Sequence, residues 1–269
     1  MSMKDFKVAQ IVPVSCLHMI QGNHYHMCLA HLVEASDEYT KFYRGMSEHG
    51  KYVLMDNGAA ENSQLDIDSL LAMYDKVKPT EIVVPDTLCD MEDTLKKMDG
   101  FISEYGERLS YKFMVVPQGK TVDEWKACAY QMLKCKRVNT IGISKFLNVV
   151  TGDPMARLKA AEFVYEQCCK MGLDKVEIHL LGCDEGPGIV RNIRAHVPIV
   201  RGCDSAFAYI AAQAGVSIDT CTTRPAGEID FLDGKPVDGL SQRLSEMEWA
   251  AGVVDNQWSG YWSDTASDR

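Results

Sequence analysis

An α/β fold, specifically a (β/α)8 barrel of the TIM type, is what this sequence predicts, and three observations predict it. Six strand-like hydrophobic runs succeed one another: YVLMDNG, EIVVPD, KFMVVPQG, TIGISKF, KVEIHLLGC and VPIVRGCDS. A helix-length amphipathic segment separates each from the next, the alternation of a parallel sheet wrapped by helices. Each run also stops on a polar or charged residue: Asp56, Asp86, Gln118, Ser144 with Lys145, the stretch past His179, and Asp204. In a closed barrel the carboxyl ends of all strands meet at one mouth. Apolar burial accounts for the runs but not for their polar endings.

The elements follow in order. Residues 7–22 read as a short N-terminal strand or hairpin ahead of the barrel. HMCLAHLV, residues 26–33, reads as the first barrel strand, with Ser36 as N-cap of the helix behind it. The second strand ends at Asp56, and LDIDSLLAMYDKV then carries the i, i+3, i+4 apolar spacing of a helix. The third ends at Asp86 before a helix near 91–104. The fourth ends at Gln118, and Thr121 caps the helix VDEWKACAYQMLK. TIGIS is the fifth strand, and the long helix MARLKAAEFVYEQCCKMG stops at Gly172. VEIHLL and IVRGCD are the sixth and seventh strands, followed by the helix AFAYIAAQAG. The eighth strand is placed near 216–220 or 228–232. The 269 residues thus form one domain: 1–25 as hairpin or cap, 26–240 as barrel, 241–269 as C-terminal helix and tail.

Bulk composition bounds the function. An apolar fraction of 46% suffices for a large core, and no run reaches the roughly 18 apolar residues of a membrane span. The N-terminus MSMKDFKVAQ has no signal-like apolar stretch. A soluble cytoplasmic protein is expected. Ten cysteines without a C-x-x-C pair read as reduced thiols. A formal charge of −10 argues against a broadly basic nucleic-acid coat. It leaves room for a local basic stripe: Lys126, Lys134, Lys136 and Arg137 form the densest cluster, which also reads as a solvated helix end.

Asp56, Asp86 and Asp204 carry the chemistry. Facing carboxylates suit reactions at an anomeric carbon, one attacking it and the other moving a proton on the leaving group. The competing reading is that each caps the next helix. Gly58 and Gly119 directly follow the strand-end groups and permit close backbone approach by a ligand or serve a turn.

The order MDNGAAE, VVPDTLCD, MVVPQG, IGIS, HLLGC, RGCDS over residues 50–205 resembles the tRNA-guanine transglycosylase superfamily. The resemblance implies that Asp204 is a nucleophile attacking C1′ of a guanosine nucleotide and Asp56 the acid/base. It implies that Asp86 accepts from N1–H and the exocyclic amine of guanine or a 7-deazaguanine, while Gln118 and the Gly142 backbone N–H read the O6 edge. Asn57, Gly58, Gly119 and Ser144 complete the implied binding site. A flipped base must be held by its Watson–Crick edge. The chain lacks the C-x-C-x-x-C…His zinc pattern and the basic C-terminal part of tRNA-acting members. It is therefore closer to the compact phage-type enzymes that place 7-deazaguanines in DNA. DNA, less readily tRNA, is the implied polymer partner, guanine and a 7-deazaguanine the exchanged bases, with no cofactor and no metal. A homodimer stays open. A narrow basic lip of Lys120, Lys145 and Arg201 would guide the strand. Asp219 in IDTCTTRP is a second nucleophile candidate but lies one helix too late.

Two rivals remain. His24 and His26, with His179 and Asp204, contain the residue types of a divalent-metal hydrolase, although the H-x-H pair precedes a strand rather than following one. A barrel that only recognises modified nucleic acid is the other. Cys89 and Cys203 adjoin strand ends but have no histidine base near them in sequence. Trp249, Trp258, Tyr261 and Trp262 form a C-terminal aromatic set suited to packing on the barrel or on a second subunit.

Overall fold

The computed structural model describes residues 6–59, 65–183, 186–221 and 223–252. The expected barrel is present. Its strands are β1 (Lys7–Gln10), β2 (Tyr25–Leu29), β3 (Tyr52–Asp56), β4 (Glu81–Val83), β5 (Lys112–Val115), β6 (Val138–Ser144), β7 (Glu177–Leu181) and β8 (Val200–Ser205). All pair in parallel in the order β1-β8-β7-β6-β5-β4-β3-β2. β1 and β2 lie against each other and bring the sheet nearly full circle.

The helices are α1 (Ala30–Ala35), α2 (Asp37–Glu48), α3 (Ile67–Val77), α4 (Met91–Tyr105), α5 (Val122–Leu133), α6 (Phe146–Thr151), α7 (Ala156–Met171), α8 (Pro187–His196), α9 (Phe207–Gln213) and α10 (Leu240–Ala251). Their starts follow from side-chain chemistry. Ser36, Asp66, Asp90 and Thr121 each accept a backbone N–H three residues on, the N-cap bond that satisfies an orphan donor. Gly172 ends α7 in the left-handed conformation at φ 68°.

Three assignments are corrected. The eighth strand is not near 216–220 or 228–232: residues 218–220 form a 3-10 turn, and 228–232 join no sheet. The barrel is completed by the N-terminal KVAQ, whose Lys7–Gln10 pairs with Gly202–Ser205. The 7–22 segment is thus not a hairpin outside the barrel. The expected first strand, 26–33, stops at Leu29, and AHLV begins α1. The C-terminal aromatics beyond Trp249 lie outside the described residues. Among those described, no helix is long and apolar enough to cross a membrane.

The amino-terminal layer of the barrel interior is polar. Arg201 from β8 reaches across to the hydroxyls of Tyr25 (3.1 Å) and Tyr52 (2.9 Å) and pairs with Glu81. Thr140 donates to the other Glu81 oxygen at 2.6 Å. Glu81 is fully buried and Arg201 is 5% exposed. Above this layer pack Ala9, Met27, Leu54, Val83 and Met114, all buried. β8 admits Arg201 through an irregularity: Ile178 pairs with Val200, yet His179 pairs with Gly202, so Arg201 is an extra residue, a bulge.

Removing one partner of a buried ion pair strands the other charge, a loss of about 3–5 kcal/mol. Glu81→Gln is therefore expected to lower unfolding free energy on that scale in chemical denaturation. Adding Arg201→Met to it should recover part of the loss.

Candidate active site

The strand ends converge as expected. A cavity of about 680 Å³ opens at the carboxyl end of the barrel, lined by Asp56, Asn57, Asp86, Gln118, Ser144 and Asp204. That volume lies within the usual range for small-molecule sites. Asp204 pairs in register with Ala9, and Asp56 with Leu29. β1 and β2 thus separate the two carboxylates around the wall, and they stand across the mouth from each other.

None of the three aspartates is the N-cap of a helix among the described residues. Asp56 Oδ2 instead accepts the N–H of Gly58 (3.0 Å), closing a turn in which Gly58 takes φ 78°. Only glycine adopts that conformation at little cost. α3 and α4 are capped by Asp66 and Asp90, and Ser205 accepts the Phe207 N–H at the start of α9.

Asp86 is 3% exposed and held at both oxygens. Asn57 Nδ2 donates to Oδ1 at 2.8 Å and Gln118 Nε2 to Oδ2 at 2.6 Å. Each amide is itself anchored. Asn57 also donates to Val84 O and accepts from Ala59 N–H, while Gln118 Oε1 accepts the N–H of Cys89 at 3.1 Å. Cys89 has φ 58°, an uncommon conformation for a non-glycine residue. Burial raises the Asp86 pKa above the ordinary carboxylate value, against the two amide bonds and the charge of Lys97, which lower it.

Asp204, 7% exposed, accepts at Oδ1 from the Gly182 N–H (3.1 Å) and from the His179 imidazole (3.1 Å). Among the described residues Oδ2 accepts no hydrogen bond. Lys145, Arg224 and Glu228 bring charge to the cavity wall.

Other expectations are placed differently. Gly142 lies in the barrel interior below Ser144, its Cβ position closed by Leu181, Met114 and Val116, and it does not line the cavity. Gly119 is approached by its own helix α5, with Trp125 N 2.6 Å from a built Cβ, and borders a smaller neighbouring cavity. Arg201 belongs to the buried layer rather than a basic lip. Asp219 is exposed and off the cavity. Arg137 donates to Leu109 O and stacks on Phe113, which puts the 134–137 cluster at the amino end of the barrel, away from the mouth.

His24 and His26 sit at the amino end of β2 and His179 inside the barrel, so the three imidazoles do not converge. His26 is buried against Asn23 O, and burial lowers its pKa to about 4. Among the described residues no cluster of three potential metal ligands occurs. Cys203 is buried beside Cys183, whose hydrogen bond, with burial, holds its thiol well above the usual range; a thiolate nucleophile there is disfavoured. Sequence reasoning missed Tyr25 and Gly182 and weighed His179 only as a metal ligand. The available signal was a lone histidine inside an apolar strand.

No family model matches this chain, and no curated protein matches it. Solved structures do. A monomeric dihydrodipicolinate synthase variant aligns over 94% of this chain and 99% of its own, at 10% identity and a TM-score of 0.50. The HpcH/HpaI aldolase of Desulfitobacterium hafniense DCB-2 aligns over 80% and 91%, at 11% identity and 0.49. Phosphoribosyl anthranilate isomerase from Thermococcus kodakaraensis aligns over 76% and 88%, at 13% identity and 0.45. At 10% identity the likeness to the synthase speaks to the fold alone, and none of the three is named as a transglycosylase.

The raised Asp86 pKa has a consequence for stability. Between its unfolded value, about 3.9, and the raised folded value, the fold keeps a proton that the unfolded chain has released. Stability therefore falls as pH rises across that window and is level above it. A ¹³C NMR titration of the Asp86 carboxyl should give a midpoint above that of an exposed aspartate. Asn57→Ala or Gln118→Ala should raise it further, since each removes a donor to the charged form.

Proposed function

We propose that the protein is an enzyme, a base-exchange pentosyltransferase that replaces guanine in a nucleic acid, DNA in the first instance, with a 7-deazaguanine. The observation that carries this is the shared cavity. Three strand-end carboxylates line it, and they have distinct surroundings. Asp86, with Gln118 and Asn57, presents a dry acceptor edge fixed by amides, the complement of the N1–H and amine donors of a guanine-type base. Gln118 Nε2 has a second N–H for the O6 side. The two carboxyl groups across the mouth, Asp204 and Asp56, suit covalent exchange at a sugar carbon, one as nucleophile and one as acid/base.

In the first half-reaction Asp204 Oδ2 attacks C1′. The C1′–N9 bond breaks, its electron pair leaves with guanine, and Asp56 supplies the proton that the departing base takes up. In the second, Asp56 takes the proton from the incoming 7-deazaguanine, whose ring nitrogen attacks C1′ and releases Asp204. Lys145 and Arg224 line the cavity and bring positive charge to its wall, which answers part of the objection raised by a net charge of −10. The resemblance of the strand-end motifs supports the choice of base. The choice of DNA over tRNA rests on the same resemblance, which lies nearest to the compact phage-type enzymes.

The test is incubation of the protein with labelled guanine and either duplex DNA, single-stranded DNA or tRNA. Label is expected in DNA and not in tRNA. Asp204→Asn should abolish both incorporation and any covalent protein–polymer adduct, and Asp56→Asn should slow exchange by about 10²–10⁴-fold. Absence of label in every polymer, with Asp204→Asn binding DNA as tightly as the parent, would identify a recognition module instead.

A further inference from the structure

Beneath the cavity floor, a line of hydrogen bonds runs from Arg201 to Asp204 and its direction is fixed by chemistry. A guanidinium has donors only. Arg201 Nε therefore donates to the Tyr25 hydroxyl oxygen at 3.1 Å. The Tyr25 O–H then points to its other neighbour, His179 Nδ1, at 2.9 Å. A ring nitrogen that accepts carries no proton, so the single proton of a neutral imidazole sits on Nε2. That N–H donates to Asp204 Oδ1 at 3.1 Å.

We infer that Tyr25 and His179 are positioning residues, through which buried Arg201 imposes one tautomer on His179 and one orientation on the Asp204 carboxylate, reserving Oδ2 for the substrate. This rests on the proposed role of Asp204 as nucleophile but is measurable apart from it.

The surroundings support each link. His179 and Tyr25 are 0% and 3% exposed, and neither lines the cavity, so neither touches a ligand there. The imidazole is flanked in register by Gly142 on β6 and Gly202 on β8, two positions without a side chain to crowd it. Burial lowers its pKa, while the hydrogen bond and charge of Asp204 raise it. The remaining charged groups facing it are Arg201, which opposes protonation, and Glu81, which favours it. Burial also raises the Tyr25 pKa, keeping its hydroxyl a donor. A doubly protonated imidazole would turn Nδ1–H onto a Tyr25 oxygen already occupied by Arg201, leave the phenolic proton without an acceptor, and place a second cation beside the first. Each of these has a cost in a dry interior. Gly182 N–H, also on Oδ1, completes the hold on that oxygen.

Long-range ¹H–¹⁵N correlation spectra of the histidine-labelled wild-type protein test the relay directly. His179 is expected as the neutral Nε2–H tautomer at pH 7, with a midpoint below the ordinary imidazole value of about 6.5. Tyr25→Phe removes only the hydroxyl. It should release the tautomer into a mixture and lower kcat for base exchange about 10-fold, the worth of one well-placed hydrogen bond, with the KM for the base unchanged. His179→Gln, which keeps an N–H donor of similar reach, should retain more turnover than His179→Leu. An Nδ1–H tautomer, an imidazolium at pH 7, or a Tyr25→Phe spectrum identical to the parent's would overturn the relay. An Nε2–H tautomer in a protein that exchanges no base would uphold the relay and remove only the function proposed for Asp204.

Discussion

A guanidinium sealed inside a barrel must have partners, and much of this structure follows from meeting that requirement. Arg201 takes Glu81 as counter-ion and also donates to two tyrosine hydroxyls and to Glu177. Those partners come from β2, β3, β4 and β7, so one side chain ties half the barrel wall together. The arrangement is favourable only because nearly every oxygen in it is also satisfied, by Thr140 and by Tyr52 on Glu81. The layer above needs no such care, being aliphatic. His179 is the polar side chain that crosses it, and the other polar groups reappear at the mouth, where solvent and ligand can reach them.

The two polar layers are not independent. Tyr25 and His179 link the charged floor to Asp204 through the apolar middle. The opposite wall is organised by a separate set of contacts, in which Asn57 and Gln118 clamp Asp86 and are clamped in turn by backbone groups. One acid is thus oriented from below and the other from its flanks. This fits a site in which they do different work: Asp204 presents a free oxygen, whereas Asp86 presents an edge.

The barrel was legible in the sequence because the central strands are buried on both faces and read as unbroken apolar runs with polar termini. Asp56, Asp86, Gln118 and Asp204 were legible for the same reason. The ends of the barrel were harder. KVAQ is four residues long and no more apolar than a loop, so β1 was set outside the sheet, while HMCLAHLV runs hydrophobic straight through a strand-to-helix junction at Leu29. α6, FLNVVT, is short and rich in β-branched residues and does not announce a helix. Gly142 was expected at the ligand from its place in a motif, but depth within the barrel depends on the register between strands, which one strand's sequence does not contain. Arg201 was set on the rim for a related reason. What lies across the barrel from a residue is a property of closure.

The bulge in β8 carries a further consequence. Along a regular strand, side chains an odd number of positions apart emerge on opposite surfaces of the sheet, and positions 201 and 204 differ by three. The extra residue resets the parity, so both the cation and the acid enter the lumen. The same spacing of three in a strand without the bulge would send one of the two outward into the helical shell.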